Sequence, residues 1–94
     1  MITIAPISKF APGKIRITRG ALAELTPDEV CFGLFRHLSG DWGHVDDADR
    51  KENDAALENG SRLLSAYYDR NDTQFWIITE HDRSATTILL PSEY

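Results

Sequence analysis

The stretch that decides the fold is Arg62–Pro91, which reads RLLSAYYDRNDTQFWIITEHDRSATTILLP. Its three segments RLLSAYY, TQFWIITE and ATTILLP are rich in aromatic and β-branched residues, which favour strands. The four residues Asp69–Asp72 separate the first two segments and His81–Ser84 separate the last two, and both quartets have the composition of tight turns. Because connections this short favour antiparallel pairing, the stretch predicts a three-stranded antiparallel meander.

Upstream of the meander, Thr26–Glu29 has the pattern of a capping box, with Thr26 as N-cap, Pro27 as first helical residue and Glu29 reaching back to the N-cap. Gly40 is expected to end this helix. Five apolar residues follow at helical spacing, and we expect their side of the helix to face the core: Val30, Cys31, Leu34, Phe35 and Leu38. Cys31 is therefore predicted to be a core residue and not a reactive thiol.

A second helix is predicted from about Ala48 to Glu58, with Asp46 or Asp47 as its N-cap and Asn59-Gly60 as its stop. Its apolar content is low, so we expect it to lie on the surface.

The remaining segments are short. In residues 14–18, Ile15 and Ile17 alternate with polar residues, which predicts a short, half-exposed strand, and residues 20–25 are typical of a helical turn or a short helix. The chain is thus predicted to be a single α+β domain over residues 1–94. In it, two helices pack on a three- to four-stranded antiparallel meander sheet, giving two layers.

Composition restricts the class of protein. The 94 residues are 41% hydrophobic and 27% charged, which is typical of a globular domain. No apolar run approaches the roughly 20 residues of a membrane span, and the first residues lack the long apolar segment of a secretory signal. The single Cys31 requires no oxidising compartment. We therefore expect a cytoplasmic protein that makes no membrane contact.

The net charge of −5 is unevenly distributed. Residues 1–19 carry four basic residues and no acidic one, whereas residues 41–59 carry seven acidic residues against two basic ones. An acidic segment of this kind repels nucleic acid and suits a basic protein surface, although an ordinary solvated helix face has the same composition. The predicted partner-binding residues are Asp46, Asp47, Asp49, Glu52, Asp54 and Trp42.

The segment RHLSGDWGHVDD, residues 36–47, joins the two helices and raises the question of a metal site. His37, Asp41 and His44 would share one face of a continuous helix, but Gly40 and Gly43 argue against such a helix. We therefore interpret the segment as a capped turn in which Trp42 folds back onto the core, and predict neither a metal site nor a cofactor.

A catalytic alternative rests on TEHDRSATT, residues 79–87. Metal-independent RNA cleavage needs a base, an acid and a cation, and Glu80, either His81 or His37, and Arg83 have the required chemistry. Against this reading, Asp82 and Arg83 fit a turn in which they pair, and an acidic chain lacks the basic groove that holds a phosphate backbone.

Four blocks, HLSGDWG, GSRLLSAY, WIITE and DRSATTILLPSEY, occur in that order and resemble a family of short bacterial proteins from plasmids and other mobile elements. The resemblance covers roughly residues 36–94. Members are labelled plasmid-related or, loosely, type I restriction subunits, but this chain has no methyltransferase or motor motif. The resemblance implies a mobile-element context and transfers no catalytic residue. The order of helices followed by a meander is also similar to RelE-type and barnase-like ribonuclease toxins.

Three functions follow as expectations. The first is a non-enzymatic acidic protein-binding module of a mobile element, which blocks or modulates a host defence protein of restriction or CRISPR type. The alternative is a small metal-independent ribonuclease of toxin type. The third is a homodimer that pairs through the last strand or an exposed sheet face.

Overall fold

The computed structural model describes residues 8–94. Within these residues, three helices lie between the first strand and the other three strands, one more than the two predicted to pack on the sheet, because Arg19–Glu24 also forms a helix. In chain order the elements are β1 (Lys14–Ile17), α1 (Arg19–Glu24), α2 (Pro27–Leu38), α3 (Asp47–Asn59), β2 (Leu63–Tyr68), β3 (Gln74–Thr79), β4 (Ala85–Leu89) and a final 3-10 turn (Pro91–Glu93).

The sheet has the order β1-β4-β3-β2 and is mixed, which corrects the predicted purely antiparallel meander. The prediction is confirmed for β2, β3 and β4, which pair antiparallel, but β1 pairs with β4 in parallel. The cause is topological. The connection through the helices leaves β2 parallel to β1. The β2–β3 and β3–β4 hairpins then reverse the chain twice, so β4 also runs parallel to β1.

Helix α2 packs on the sheet through a face that agrees with the predicted one only in part, since Val30 and Leu34 pack against the core as predicted. Its buried residues are Gly33 and His37, whereas Cys31 is exposed and Phe35 is 51% exposed. A Cβ at position 33 would lie 2.8 Å from the Phe75 ring, so glycine permits the close approach of helix and strand. The prediction of Cys31 as a core residue is wrong because Gly33 and His37 turn it outward.

The first turn of α2 forms half of the predicted capping box. The Thr26 hydroxyl accepts a hydrogen bond from the Glu29 amide at 3.3 Å, and Pro27 begins the helix. The Glu29 carboxylate pairs instead with Arg70, at 3.1 Å from its Nε, in the turn between β2 and β3. This pair ties the start of α2 to the sheet.

The predicted bounds of the acidic helix are confirmed to within one residue at each end. The Asp46 carboxylate accepts from the Asp49 amide at 2.7 Å, which makes Asp46 the N-cap. Gly60 ends the helix with a φ of 77°, a left-handed conformation that glycine adopts readily. Only Asn53 and Ala56 of this helix are buried, in agreement with a surface location.

The core divides into two clusters on the helix side of the sheet. One lies under α1 and α2 and contains Ala21, Leu25, Tyr67, Phe75, Ile77 and Ile88. The other lies under α3 and contains Trp42, Ala56 and Leu63, with Phe10, Val45 and Leu57 packed against it. Within residues 8–94 the longest helix is α3, and none of the helices there has the length and hydropathy of a bilayer span.

Candidate functional site

His37 lies at the centre of the molecule in a buried polar chain. Its Nδ1 is 2.6 Å from the Ser65 hydroxyl and its Nε2 is 2.9 Å from the Thr79 hydroxyl. Thr79 in turn lies 2.7 Å from the Thr86 hydroxyl, which donates to the Pro12 carbonyl at 2.7 Å. His37, Ser65, Thr79 and Thr86 are all fully buried, so four elements meet through this chain.

The direction of every hydrogen bond in the chain follows from its last member. A carbonyl oxygen accepts and never donates, so Thr86 uses its single proton on Pro12. Thr79 must then donate to Thr86, and its oxygen accepts from Nε2–H of His37. His37 is therefore the Nε2–H tautomer, and its Nδ1 accepts the Ser65 proton.

Burial, with a smaller effect of the nearby Arg83 charge, lowers the pKa of His37 from 6.5 to about 3. The imidazole is neutral at physiological pH and has no free lone pair. It can therefore serve neither as a metal ligand nor as a base for a solvent-accessible substrate. Phe10 and Trp42 pack edge-on against the ring at 5.3 and 5.7 Å, which completes its enclosure.

The GDWG turn, residues 40–43, covers the outer edge of β2. The Ala66 amide donates to the Trp42 carbonyl at 3.1 Å, and the Ala66 carbonyl accepts from the His44 amide at 2.7 Å. Gly43 sits so close that a Cβ there would be 2.1 Å from the Ala66 oxygen. The turn thus satisfies backbone groups that an exposed edge strand would present to other chains.

Asn53 of α3 also forms hydrogen bonds with the backbone of β2 at this edge. Its side-chain amide donates to the Leu64 carbonyl at 2.8 Å and accepts from the Leu64 amide at 3.1 Å. The indole N–H of Trp42 donates to the Asp54 carboxylate at 2.9 Å. Two neighbouring residues of α3 therefore connect the helix to β2 and to the GDWG turn.

Trp42 was a predicted partner-binding residue, and the structure places it in the core at 3% exposure. Its predicted fold-back onto the core is confirmed. Its ring stacks on Phe10 and is covered by α3, so it is not available for direct contact with a partner protein. Trp42 affects the surface of α3 only through its hydrogen bond to Asp54.

The acidic side chains of α3 are arranged around its solvent-facing surface. The five predicted acidic residues are exposed: Asp46, Asp47, Asp49, Glu52 and Asp54. Asp47 forms an ion pair with Arg50 at 2.7 Å, and Asp46 and Asp54 accept the hydrogen bonds described above. Asp49 and Glu52 line an open groove of about 420 Å³ between α3 and β2, which Arg62 also lines. We call this set of five carboxylates the α3 acidic face.

Arg83 performs a structural task. Its guanidinium donates to three carbonyls near the ends of α3 and β3, namely Ala56 at 2.8 Å, Ser61 at 2.7 Å and Glu80 at 3.1 Å, and more weakly to His81 at 3.3 Å. The expected pairing with Asp82 is absent from residues 8–94, since the Asp82 carboxylate accepts from the Ser84 amide at 3.0 Å. Nη1 shares its two N–H groups among the Ser61, Glu80 and His81 carbonyls, and Nη2 directs one N–H at Ala56, so three of the five N–H donors are directed at protein carbonyls.

The four residues of the ribonuclease alternative therefore do not form one accessible site. Glu80 and His81 are exposed on the turn between β3 and β4, Arg83 is held by carbonyls, and His37 is enclosed in the core. His44, the other histidine of the connecting segment, packs against Tyr68 at 5.1 Å. Among the described residues no three histidine, cysteine or carboxylate side chains converge as metal ligands would.

Sequence reasoning missed the structural role of the residues that organise this site: Asn53, Ser65, Thr79 and Thr86. Each stands where a buried apolar residue is expected, on the inward side of a helix or strand. The alternation of Leu63, Ser65 and Tyr67 along β2 is the signal that would place a polar residue in the core. A buried hydroxyl needs a partner, and His37 supplies it.

Comparison with protein-family models, with curated proteins and with solved structures found no match to the chain.

Proposed function

We propose that the chain is a non-enzymatic protein-binding module of a mobile element, which docks the α3 acidic face on a basic protein surface. The class of partner suggested by the resemblance of residues 36–94 is a host defence protein of restriction or CRISPR type, which the module blocks or modulates. The proposal rests on one observation: the acidic residues of α3 are exposed on a helix whose position is rigidly fixed.

Rigidity matters because ordering a surface on binding costs free energy. Here the helix is held at its start by the Asp46 cap, in its middle by Asn53 and Asp54, and near its end by Arg83. The carboxylates therefore form a fixed pattern of negative charge before any partner arrives. Such a pattern accelerates association with a basic surface and disfavours acidic partners.

The ribonuclease alternative receives no support from the geometry, because its histidine is enclosed and its arginine is occupied. A catalytic arginine needs free donors at the phosphate, whereas three of the five N–H groups of Arg83 are directed at backbone carbonyls.

The test is comparative capture from a bacterial lysate with immobilised protein. The variant carries Asp47→Asn, Asp49→Asn, Glu52→Gln and Asp54→Asn, substitutions that keep side-chain shape and the Asp54 acceptor for Trp42. A matched control neutralises four exposed carboxylates elsewhere: Glu24→Gln, Asp72→Asn, Glu80→Gln and Asp82→Asn.

We expect wild type and control to retain the same partner and the α3 variant to lose it. Retention should also decline steeply as salt increases, because interactions between exposed charges are screened beyond about 10 Å at 0.1 M salt. Equal retention by the α3 variant and the control, or binding that salt does not weaken, would contradict the proposal.

A further inference from the structure

The outer surface of α2 is apolar although it faces solvent. Phe32 is 64% exposed, Phe35 is 51% exposed, and Cys31 beside them is also exposed. These residues recur at the three- and four-residue spacing of one helix face, opposite the buried Gly33 and His37. We call Asp28, Cys31, Phe32, Phe35 and Ser39 the α2 crest.

The apolar surface extends beyond the crest towards α1 and β1. Leu22 is 66% exposed and Ile17 is 37% exposed, and with Cys31 they line an apolar groove of about 230 Å³. At the 150–250 Å² that an aromatic side chain covers, Phe32 and Phe35 alone expose roughly 200 Å². The largest exposed apolar patch of a monomeric protein is often a functional contact site.

Phe32 and Phe35 lie symmetrically about the centre of the crest, whereas Cys31 has no counterpart, since its mirror position is Arg36. Position 28 lies as far before the midpoint between Phe32 and Phe35 as position 39 lies after it. Two such helices that meet antiparallel across a two-fold axis therefore place Phe32 of each copy against Phe35 of the other. An isologous contact requires this self-complementarity, since each patch must serve as both partners.

Charge at the two ends of the crest fits the same arrangement. Asp28 lies in the first turn of α2, at its N-terminal end. Lys9 lies at the C-terminal end, where its amide donates to the Leu38 carbonyl at 2.8 Å and its side chain lies over Gly40. In an antiparallel pair, Asp28 of each copy approaches Lys9 of the other, so the acidic and basic ends match twice.

We propose that the α2 crest is the interface of a homodimer, in which two copies pack their α2 helices antiparallel around Phe32 and Phe35. This contact buries the apolar residues of α2 that do not face the sheet. It uses no residue of the α3 acidic face, so the dimer and the proposed function can fail independently.

The first test is the molecular mass in solution by sedimentation velocity, over protein concentrations from about 5 μM to 500 μM, a range suited to a small interface. We expect wild type to dimerise within this range and Phe32→Ser/Phe35→Ser to raise the dissociation constant at least about tenfold. The matched control is Tyr68→Ser, which removes another exposed aromatic ring, on β2 and 47% exposed. It should dimerise as wild type does, and circular dichroism should show all three folded.

A wild type that stays monomeric at every concentration would overturn the proposal and assign the crest to a different protein. A dimer that the double variant leaves intact would overturn it equally, because the contact would then lie elsewhere.

The second test is specific to the antiparallel geometry. Asp28→Lys places two lysines together at each end of the pair, and Lys9→Glu places two acids together, so each variant alone should dimerise at least about fivefold more weakly. An equimolar mixture should restore dimerisation, because Asp28→Lys in one copy then meets Lys9→Glu in the other, and the native pair forms at the opposite end. No recovery on mixing would rule out the antiparallel arrangement.

Discussion

The buried histidine predicts how stability depends on pH. The pKa of His37 is about 3 in the folded chain, against 6.5 for an ordinary histidine. Between pH 3 and pH 6.5, His37 is therefore protonated in the unfolded chain and neutral in the folded chain. Stability must therefore rise with pH across this window and fall as the solution is acidified through it. Each pH unit within the window is worth about 1.4 kcal/mol. Acidification to pH 4 crosses 2.5 of these units, so His37 alone should cost about 3 kcal/mol.

The measurement is the free energy of unfolding in urea at pH 7 and pH 4, for wild type and for His37→Gln. The variant loses part of the buried chain and is less stable at pH 7, but its side chain stays neutral at both pH values. Other groups also respond to acid. Hydrogen bonds from Arg36 to Asp41, and from Thr18 to Glu93, lower the pKa of those carboxyls, and they add to the loss of stability in both proteins.

The carboxyl contributions cancel in the difference between the two proteins, which isolates the histidine. The stability advantage of wild type over His37→Gln should shrink by about 3 kcal/mol between pH 7 and pH 4. An advantage that stays constant would refute the enclosed neutral imidazole, because it would mean that His37 takes up its proton as easily in the folded chain as in the unfolded one.

Three other substitutions test separate parts of the structure. Gly43→Ala should lower the free energy of unfolding in urea by more than about 2 kcal/mol, because the added Cβ would collide with the Ala66 oxygen. Gly60→Ala is the control: Gly60 has a similar positive φ but no atom within 4 Å of the added Cβ, so the loss should be about 1 kcal/mol. Arg83→Lys should cost about 1–3 kcal/mol and increase amide exchange in the last turn of α3, and unchanged exchange would contradict the role given to the guanidinium. Glu80→Ala should match wild type in stability, in bacterial growth on induction and in intact total RNA, whereas growth arrest by wild type that the substitution relieves would revive the ribonuclease reading.

Local signals in the sequence predicted most of the elements. The turn residues around Asp69 and Asp82 and the cap at Asp46 act on their immediate neighbours, so their effects follow from composition alone. The parallel pairing of β1 was not predictable in this way, because four residues do not specify which edge of a sheet they join. The crossover that carries the chain past three helices decides it.

The face of α2 shows a second limit of sequence reasoning. Hydrophobic periodicity counts Cys31 and Phe35 as inward and ignores Gly33 and His37, since one has no side chain and the other is polar. In the structure, Gly33 and His37 face inward together with Val30 and Leu34, and Cys31 and Phe35 are exposed. A glycine allows the helix to touch Phe75, and a histidine inside is acceptable when both nitrogens are bonded. A stripe of apolar residues on a helix therefore does not by itself specify which of them are buried in the core.

The same limit applies to the connecting segment. His37, Asp41 and His44 are close in sequence, but the structure sends them to three environments: a buried polar chain, an ion pair with Arg36 at 2.8 Å, and a contact with Tyr68. The prediction of a capped turn was made from two glycines, and both have positive φ, 84° and 73°. That the turn also covers the edge of β2 depends on its distance in space from Ala66, which no local pattern encodes.

The most direct test of the proposed function is a hydrogen-exchange footprint of the captured partner on this chain. Backbone amides of Asp47–Asn59 should exchange more slowly in the complex than in the free chain, and amides of the turn at Glu80–Arg83 should be unchanged. Protection confined to that turn or to α2, with α3 exchanging as in the free chain, would contradict the assignment of the α3 acidic face as the binding surface.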